Sequence, residues 1–237
     1  MLTATPSRGS APDPAKRIRL VIWILLGVIV VAGGAWYAVL TMSKPAPAPA
    51  AVPGTTAGAA GAEQLVRADS HRLTTPAVEK AQLVEFLDFE CPSCGSVHPV
   101  VEELKAEFGD RITFVNRHFP LSAHPNSGQA ALAAEAASQQ GKYQEMANRL
   151  FETQARWAGQ QQSQAPLFRT YAEELGLDLG RFDAAVADQQ TEERVLADIT
   201  DGEALGVTGT PTFFLNGEKL KLTTKADFRQ KLADAVK

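Results

Sequence analysis

The chain has 237 residues, 45% of them hydrophobic and 21% charged, which is the make-up of a globular protein rather than a fibrous or wholly disordered one. Charge is unevenly spread: residues 1–44 carry five Lys/Arg and one acid, so the remainder holds 18 basic and 26 acidic residues, about −8 net. So acidic a body argues against nucleic-acid binding, which needs a basic patch, and only two cysteines, Cys91 and Cys94, argue against a disulfide-held secreted scaffold.

Residues 1–17 are polar and contain prolines, and read as a disordered cytoplasmic tail. Residues 18–40, IRLVIWILLGVIVVAGGAWYAVL, have Arg19 as their only charge and exceed the roughly 20 residues that cross a bilayer. The preceding cluster of Lys and Arg predicts a single-pass anchor in the cytoplasmic (inner) membrane, with everything after Leu40 on the extracytoplasmic side. Its length favours an uncleaved anchor over a signal peptide, whose apolar region is about 7–15 residues. Residues 41–63 form a linker rich in Ala, Pro and Gly, a spacer between membrane and domain. The folded domain is expected over residues 64–237.

Within it, Gln82–Phe89 is a short apolar run that predicts a buried strand. Pro92–Phe108 follows as a helix, with Val97, Val101, Leu104 and Phe108 on one face and Gly109 as its stop. Arg111–Phe119 predicts a second strand. From Asn126 to Ala204 the pattern is helical, beginning with AALAAEAAS and YQEMANRLFETQ and broken near Gly141. Further helices are expected near Leu167–Leu175, Phe182–Ala187 and Glu192–Leu205. Strands at Thr212–Asn216 and Lys219–Leu222 meet at Asn216-Gly217, a hairpin signal, and Ala226–Val236 closes the chain as an amphipathic helix. The order is βαβ, a helical insertion over about 121–205, then ββα.

Cys91 and Cys94 fall where the first strand meets the first helix. A sulfur at a helix N-terminus is favoured as a thiolate by unpaired N–H groups and the helix dipole. A second thiol one turn further on can resolve a mixed disulfide. Cys91 is therefore the expected attacking sulfur and Cys94 the resolving one, with Pro92 suited to a first helical position. Three other readings compete. A structural disulfide here would close too short a loop to restrict the unfolded chain much. A zinc site could draw on Cys91, Cys94, His98 and conceivably His118. Haem attachment fails because Gly95, not His, follows Cys94.

The runs VEFLDFECPSCG and, far downstream, GVTGTPTFFLNG resemble the DsbA-type thioredoxin-fold oxidoreductases, including membrane-tethered bacterial ones. The resemblance covers about residues 65–237, both motifs, their order and the insertion between them. It implies an α/β thioredoxin fold and a protein thiol–disulfide oxidoreductase needing no cofactor and no metal. It further implies a cis bond at Thr210-Pro211 lying against the cysteines, with Pro92, Ser93, Thr210 and Pro211 contacting substrate. Glu85 stands six residues before Cys91, where similar proteins place a buried acid that exchanges protons with the resolving cysteine. Strand alternation alone leaves the burial of Glu85 open.

One departure is Ser93, where strongly oxidising members commonly have His, so the direction of electron transfer is left open. The resemblance points to a dithiol oxidase acting on reduced exported proteins and reoxidised by a quinone-linked membrane partner. A reductase or isomerase, or a non-catalytic tethered binding or metal-delivery module, are the rivals. The insertion is expected to cover one side of the active site and help form a substrate groove. His98 reads as a solvated or capping residue, His118 and His124 as turn-flanking residues without chemistry, and Phe151 and Trp157 as core or groove residues.

Overall fold

A computed structural model describes residues 64–237. The expected tail, membrane anchor and linker lie outside the described residues, and among those described no helix is long and apolar enough to cross a membrane.

The central strands are rich in Val, Leu, Ile and Phe and buried on both faces. β2 (Ala81–Leu87) pairs in parallel with β3 (Ile112–His118) and antiparallel with β4 (Thr212–Leu215). β1 (His71–Arg72) adds to the outer side of β3, and β5 (Glu218–Lys219) to that of β4, giving the order β1-β3-β2-β4-β5. On one face Leu83, Phe114 and Phe213 meet Val101, Leu104 and Phe108 of α1 (Pro92–Phe108) and Phe228 and Leu232 of α8 (Lys225–Ala235). On the other face Val84, Phe86, Val115, Phe119 and Phe214 form a second cluster.

Between β3 and β4 run six helices: α2 (Ser127–Ser138), α3 (Tyr143–Glu152), α4 (Gln154–Trp157), α5 (Ala165–Glu174), α6 (Leu179–Val186) and α7 (Gln189–Ala204). Small side chains let α2 sit deep: Ala130, Ala134, Ala136 and Ala137 are fully buried, packed with Met146, Leu150, Trp157 and Phe168. This cluster also takes in Leu87, Phe89, Cys91 and Cys94, so the cysteine pair is packed on its inner side by the insertion.

The insertion is tied to the sheet by a buried charge cluster. Arg117 of β3 is wholly buried, yet each of its three side-chain nitrogens is engaged: Nε with Asp198 at 2.6 Å and Nη2 with Asp201 at 2.6 Å, both on α7, and Nη1 with the carbonyls of Gln64 and Leu65. Its guanidinium also lies over the Phe86 ring. Such a cation is tolerable inside only because it is paired with carboxylates and each of its nitrogens is hydrogen-bonded.

The βαβ, helical insertion and ββα order is the expected one, and α1 has the expected bounds. Three local readings need correction. β2 stops at Leu87 rather than Phe89, because the Asp88 carboxylate accepts the Glu90 N–H at 2.8 Å and turns the chain. β5 ends at Lys219 rather than Leu222: after Leu220 N–H bonds Phe213 C=O, the chain leaves the ladder for Thr224, the N-cap of α8. β1 has no counterpart in the sequence reading, since two residues carry no periodicity. At the β4–β5 hairpin, Asn216 (φ 50) and Gly217 (φ 88) both adopt the left-handed backbone of a type I′ turn.

Candidate active site

The turn after β2 carries two buried acids that fix the path to Cys91. Asp88 accepts the Leu121 N–H at 3.0 Å besides that of Glu90, contacts His124 Nδ1 at 2.5 Å, and its carbonyl accepts the Cys91 N–H. Glu90 receives the N–H of Asn126 at 2.6 Å and that of Gly159 at 2.8 Å. Its two oxygens thus hold two separate stretches of the insertion against the residue that precedes Cys91.

Cys91 is the N-cap of α1 (φ −68, ψ 121) and Pro92 opens the helix, with no acidic side chain in the first turn to oppose a negative sulfur. No side-chain capping bond occupies its sulfur. Instead Cys91 Sγ–H donates to the Thr210 carbonyl at 3.3 Å, and the Thr210-Pro211 bond is cis, as expected. Both thiols are free; Cys91 is 6% exposed and Cys94 0%, so the second sulfur is the inaccessible one. Pro92 and Ser93 stand exposed beside them. The buried Thr210 hydroxyl has no hydrogen-bond partner among the described residues, and it is placed to donate to a thiolate on Cys94.

Burial, with the Glu85 charge adding to it, pushes the Cys94 thiol far above its ordinary range. Glu85 is itself buried, and desolvation followed by the nearby Glu102 charge raises its carboxyl to about 8. It faces a small cavity of about 10 Å³, the size of a single water, walled also by His98, Glu102, Asn116 and Asn148. The structure therefore settles the burial that strand alternation left open.

His98 is half-buried: it stacks on Phe151 at 4.6 Å, and desolvation lowers its pKa. Trp157 is a core residue whose Nε1–H donates to the Leu150 carbonyl. His118 is wholly buried rather than at a turn surface. It joins His71 and Glu135 in the one group of described residues with metal-like spacing, and that group contains neither cysteine. Glu135 Oε1 is hydrogen-bonded to His71 Nε2 at 2.6 Å and lies 2.9 Å from His118 Nε2, an ion-pair separation. Burial works against the Glu135 charge, but the two imidazoles outweigh it and hold the carboxyl well below its usual range. Arg194, 3.9 Å from the same oxygen, adds positive charge that would repel a metal ion.

A groove of about 450 Å³ opens beside Pro92 and Ser93, lined by Val97, Val100, Leu222 and Phe228. These walls belong to α1, α8 and the segment leading into α8. The insertion, expected to help form such a groove, contributes no side chain to this one; it covers the cysteines from behind.

Residues 79–234 match the family model described as thioredoxin. The chain belongs to the thioredoxin family. Solved structures of similar fold include a thioredoxin-like oxidoreductase from Silicibacter pomeroyi DSS-3, 25% identical, TM-score 0.61, covering 73% of this chain and 94% of that one. Wolbachia pipientis α-DsbA1 is 20% identical with a TM-score of 0.65, covering 74% of this chain and 95% of that one. A curated relative, Na(+)/H(+) antiporter NhaA 1 of Mycobacterium sp. (strain KMS), is 41% identical over 144 residues, which are 59% of this chain and 22% of that protein. The chain thus spans only about a fifth of that relative's length.

The sequence marked Cys91, Cys94, Thr210, Pro211 and Glu85, and the fold brings them to one place. It did not mark Asp88, Glu90 or Gln154, which hold that place together. Their only sequence signal is nearness to the motif for the first two, and for Gln154 there is none.

Proposed function

We propose that this protein is a thiol–disulfide oxidoreductase that works as a dithiol oxidase on exported proteins, held at the outer face of the cytoplasmic membrane by residues 18–40. The observation that carries the reading is the asymmetry of the two sulfurs: Cys91 at a helix N-terminus facing the Thr210 carbonyl, Cys94 sealed one turn behind it.

In the oxidised enzyme a substrate thiolate attacks Cys91 Sγ. The Cys91–Cys94 bond breaks and its electron pair leaves on Cys94. That sulfur is too deeply buried to stay charged and takes a proton from Glu85, which is largely protonated at neutral pH. A second substrate thiolate then attacks the substrate sulfur of the mixed disulfide and releases Cys91 as a thiolate at the helix N-terminus. The substrate loses two electrons and the enzyme gains them. A quinone-linked membrane oxidant would remove them, with the Glu85 carboxylate receiving the Cys94 proton in that half-cycle. The backbone of Thr210 and the groove beside Pro92 and Ser93 suit an extended, partly apolar peptide.

The test is the equilibrium of the protein with glutathione buffers, read by alkylation of free thiols. An oxidase gives a potential above about −200 mV, whereas a value near −270 mV makes the protein a reductase. Absence of any reversible two-electron step ends the redox reading. Cys91→Ser is expected to abolish exchange altogether.

A further inference from the structure

We propose that Gln154 is a positioning residue through which the helical insertion sets the reactivity of Cys91. Its side chain reaches out of α4, and its amide Nε2 donates to two backbone carbonyls of the active-site turn, Phe89 at 2.7 Å and Cys91 at 2.9 Å. Both amide protons are therefore spent on the three-residue stretch that ends in the attacking cysteine. The carboxamide lies against Gly95: a Cβ placed there would sit 2.3 Å from Gln154 Oε1 and 2.9 Å from Cδ. Gly95 leaves the room that the carboxamide fills.

The arm is presented by a rigid support. Trp157, three residues on, is wholly buried, donates to Leu150, and meets Phe168 edge-on at 4.9 Å. Thr153, just before Gln154, ties its hydroxyl to the Arg149 carbonyl at 2.6 Å. Gln154 thus starts from a fixed base, and little side-chain freedom is left to lose when it binds the turn.

Two physical effects follow. The two N–H donors bond carbonyls that are partly withdrawn from water, in addition to the Gly95 N–H that the Cys91 carbonyl accepts at 3.1 Å, so the backbone carrying the Cys91 sulfur is held in one conformation. They also place the positive end of an amide dipole on carbonyls whose negative ends lie close to Cys91, which favours a thiolate there in addition to the helix N-terminus. Loss of the donors should make the reduced enzyme less stable relative to the oxidised one, and so make the protein a weaker oxidant.

This inference rests on the redox reading of Cys91 and Cys94. It is tested in the full-length chain with Gln154→Ala, Gln154→Glu, Gly95→Ala and the Gly95→Ala/Gln154→Ala double variant, all checked for cooperative thermal unfolding. Two quantities are read: the equilibrium constant with glutathione, and the pH at which the Cys91 thiolate forms, followed by its ultraviolet absorbance. Gln154→Ala is expected to shift the equilibrium constant roughly tenfold toward the disulfide, the scale of one or two lost hydrogen bonds, and to move thiolate formation to higher pH. Gln154→Glu, which cannot donate and adds negative charge, shifts both further in the same direction. Gly95→Ala displaces the carboxamide and reproduces the Gln154→Ala shift, but adds nothing when alanine already stands at 154.

Unchanged thiolate titration and potential in Gln154→Ala would overturn the proposal, as would fully additive effects of the two substitutions. A wild-type chain with no reversible couple would instead sink the redox reading. The thiolate titration would then still decide what Gln154 does.

Discussion

The sheet with α1 and α8 and the six-helix insertion solve the same problem, burial of apolar surface, with different materials. The first uses large side chains in register, such as Leu83, Phe108, Phe114, Phe213 and Phe228, on one face of a sheet whose other face is buried as well. The second packs the alanines of α2 against Met146, Leu150, Trp157 and Phe168, and is bound to the sheet by charges and hydrogen bonds from Arg117, Glu90 and Gln154. A sheet face needs only shape and hydrophobicity, whereas docking a helical layer onto a reactive turn needs directional contacts. The cysteines sit where the two systems meet.

The sharpest way to break this comparison is to remove its ionic joint. Arg117→Ala leaves Asp198 and Asp201 with much of their buried counter-charge missing, and is expected to cost about 3–5 kcal/mol, the scale of a broken buried ion pair. Chemical denaturation would measure it. A loss below about 1 kcal/mol would mean that Arg67 and Arg194, which also contact Asp198, carry the joint without it.

Next come two aromatic truncations, one in each region. Trp157→Ala and Phe228→Ala each remove a side chain with almost no exposure and should each cost about 3–5 kcal/mol. If the regions fold as one unit, both variants unfold in a single transition with coincident probes. A second, earlier transition in Trp157→Ala alone would show that the insertion melts by itself, and the active-site turn should then lose its Gln154 contacts with it.

How much of this was legible follows from the same contrast. The central strands announce themselves as short apolar runs and through the Asn216-Gly217 hairpin signal, α1 and α8 through helical spacing, and the cysteine pair and Pro211 through motifs. Glu85 was legible by position but not by burial, because β2 is central and both its faces are covered, so alternation carries no inside or outside. The insertion's helices were legible as helices, but their attachments were not. Glu90 receives N–H groups from Asn126 and Gly159, and Gln154 reaches back across more than sixty residues, contacts with no local pattern to read. Arg117 falls inside the predicted strand Arg111–Phe119 with nothing in the sequence to mark it as buried, and His118 reads as a turn-flanking residue, yet the fold places both inside.

A smaller effect distinguishes the site from its scaffold through pH. The Glu85 carboxyl, 4.5 when unperturbed and about 8 here, is protonated in the folded state while already ionised in the unfolded one across that interval. The unfolded chain binds fewer protons there, so the contribution of this group to stability is greatest below about 4.5 and falls as pH rises toward 8, by an amount on the order of a few kcal/mol. Glu85→Gln should flatten this component of the profile, raise stability at alkaline pH, and slow the steps in which Cys94 gains or loses its proton. Urea midpoints across that range, with and without the substitution, check the sign. Parallel profiles would mean that Glu85 is not the group that titrates.

The smallest expected effect gives the finest comparison, because it places like caps in unlike regions. Thr224 caps α8 by accepting the Asp227 N–H at 3.0 Å, and Asp178 caps α6 of the insertion by accepting that of Arg181 at 2.9 Å. Neither lies among the residues that hold the cysteines. Each replaced by Ala should cost about 1 kcal/mol globally, the usual worth of such a cap. Hydrogen exchange should separate them even where denaturation does not. If the sheet and insertion open together, amides in both regions lose protection equally in either variant. If the insertion opens on its own, Asp178→Ala lowers protection only in the insertion, while Thr224→Ala acts through global unfolding and lowers it wherever that is the exchange route. The second pattern would make the insertion a separately opening layer over the cysteines, with its hydrogen-bonded straps as the hinge of that opening.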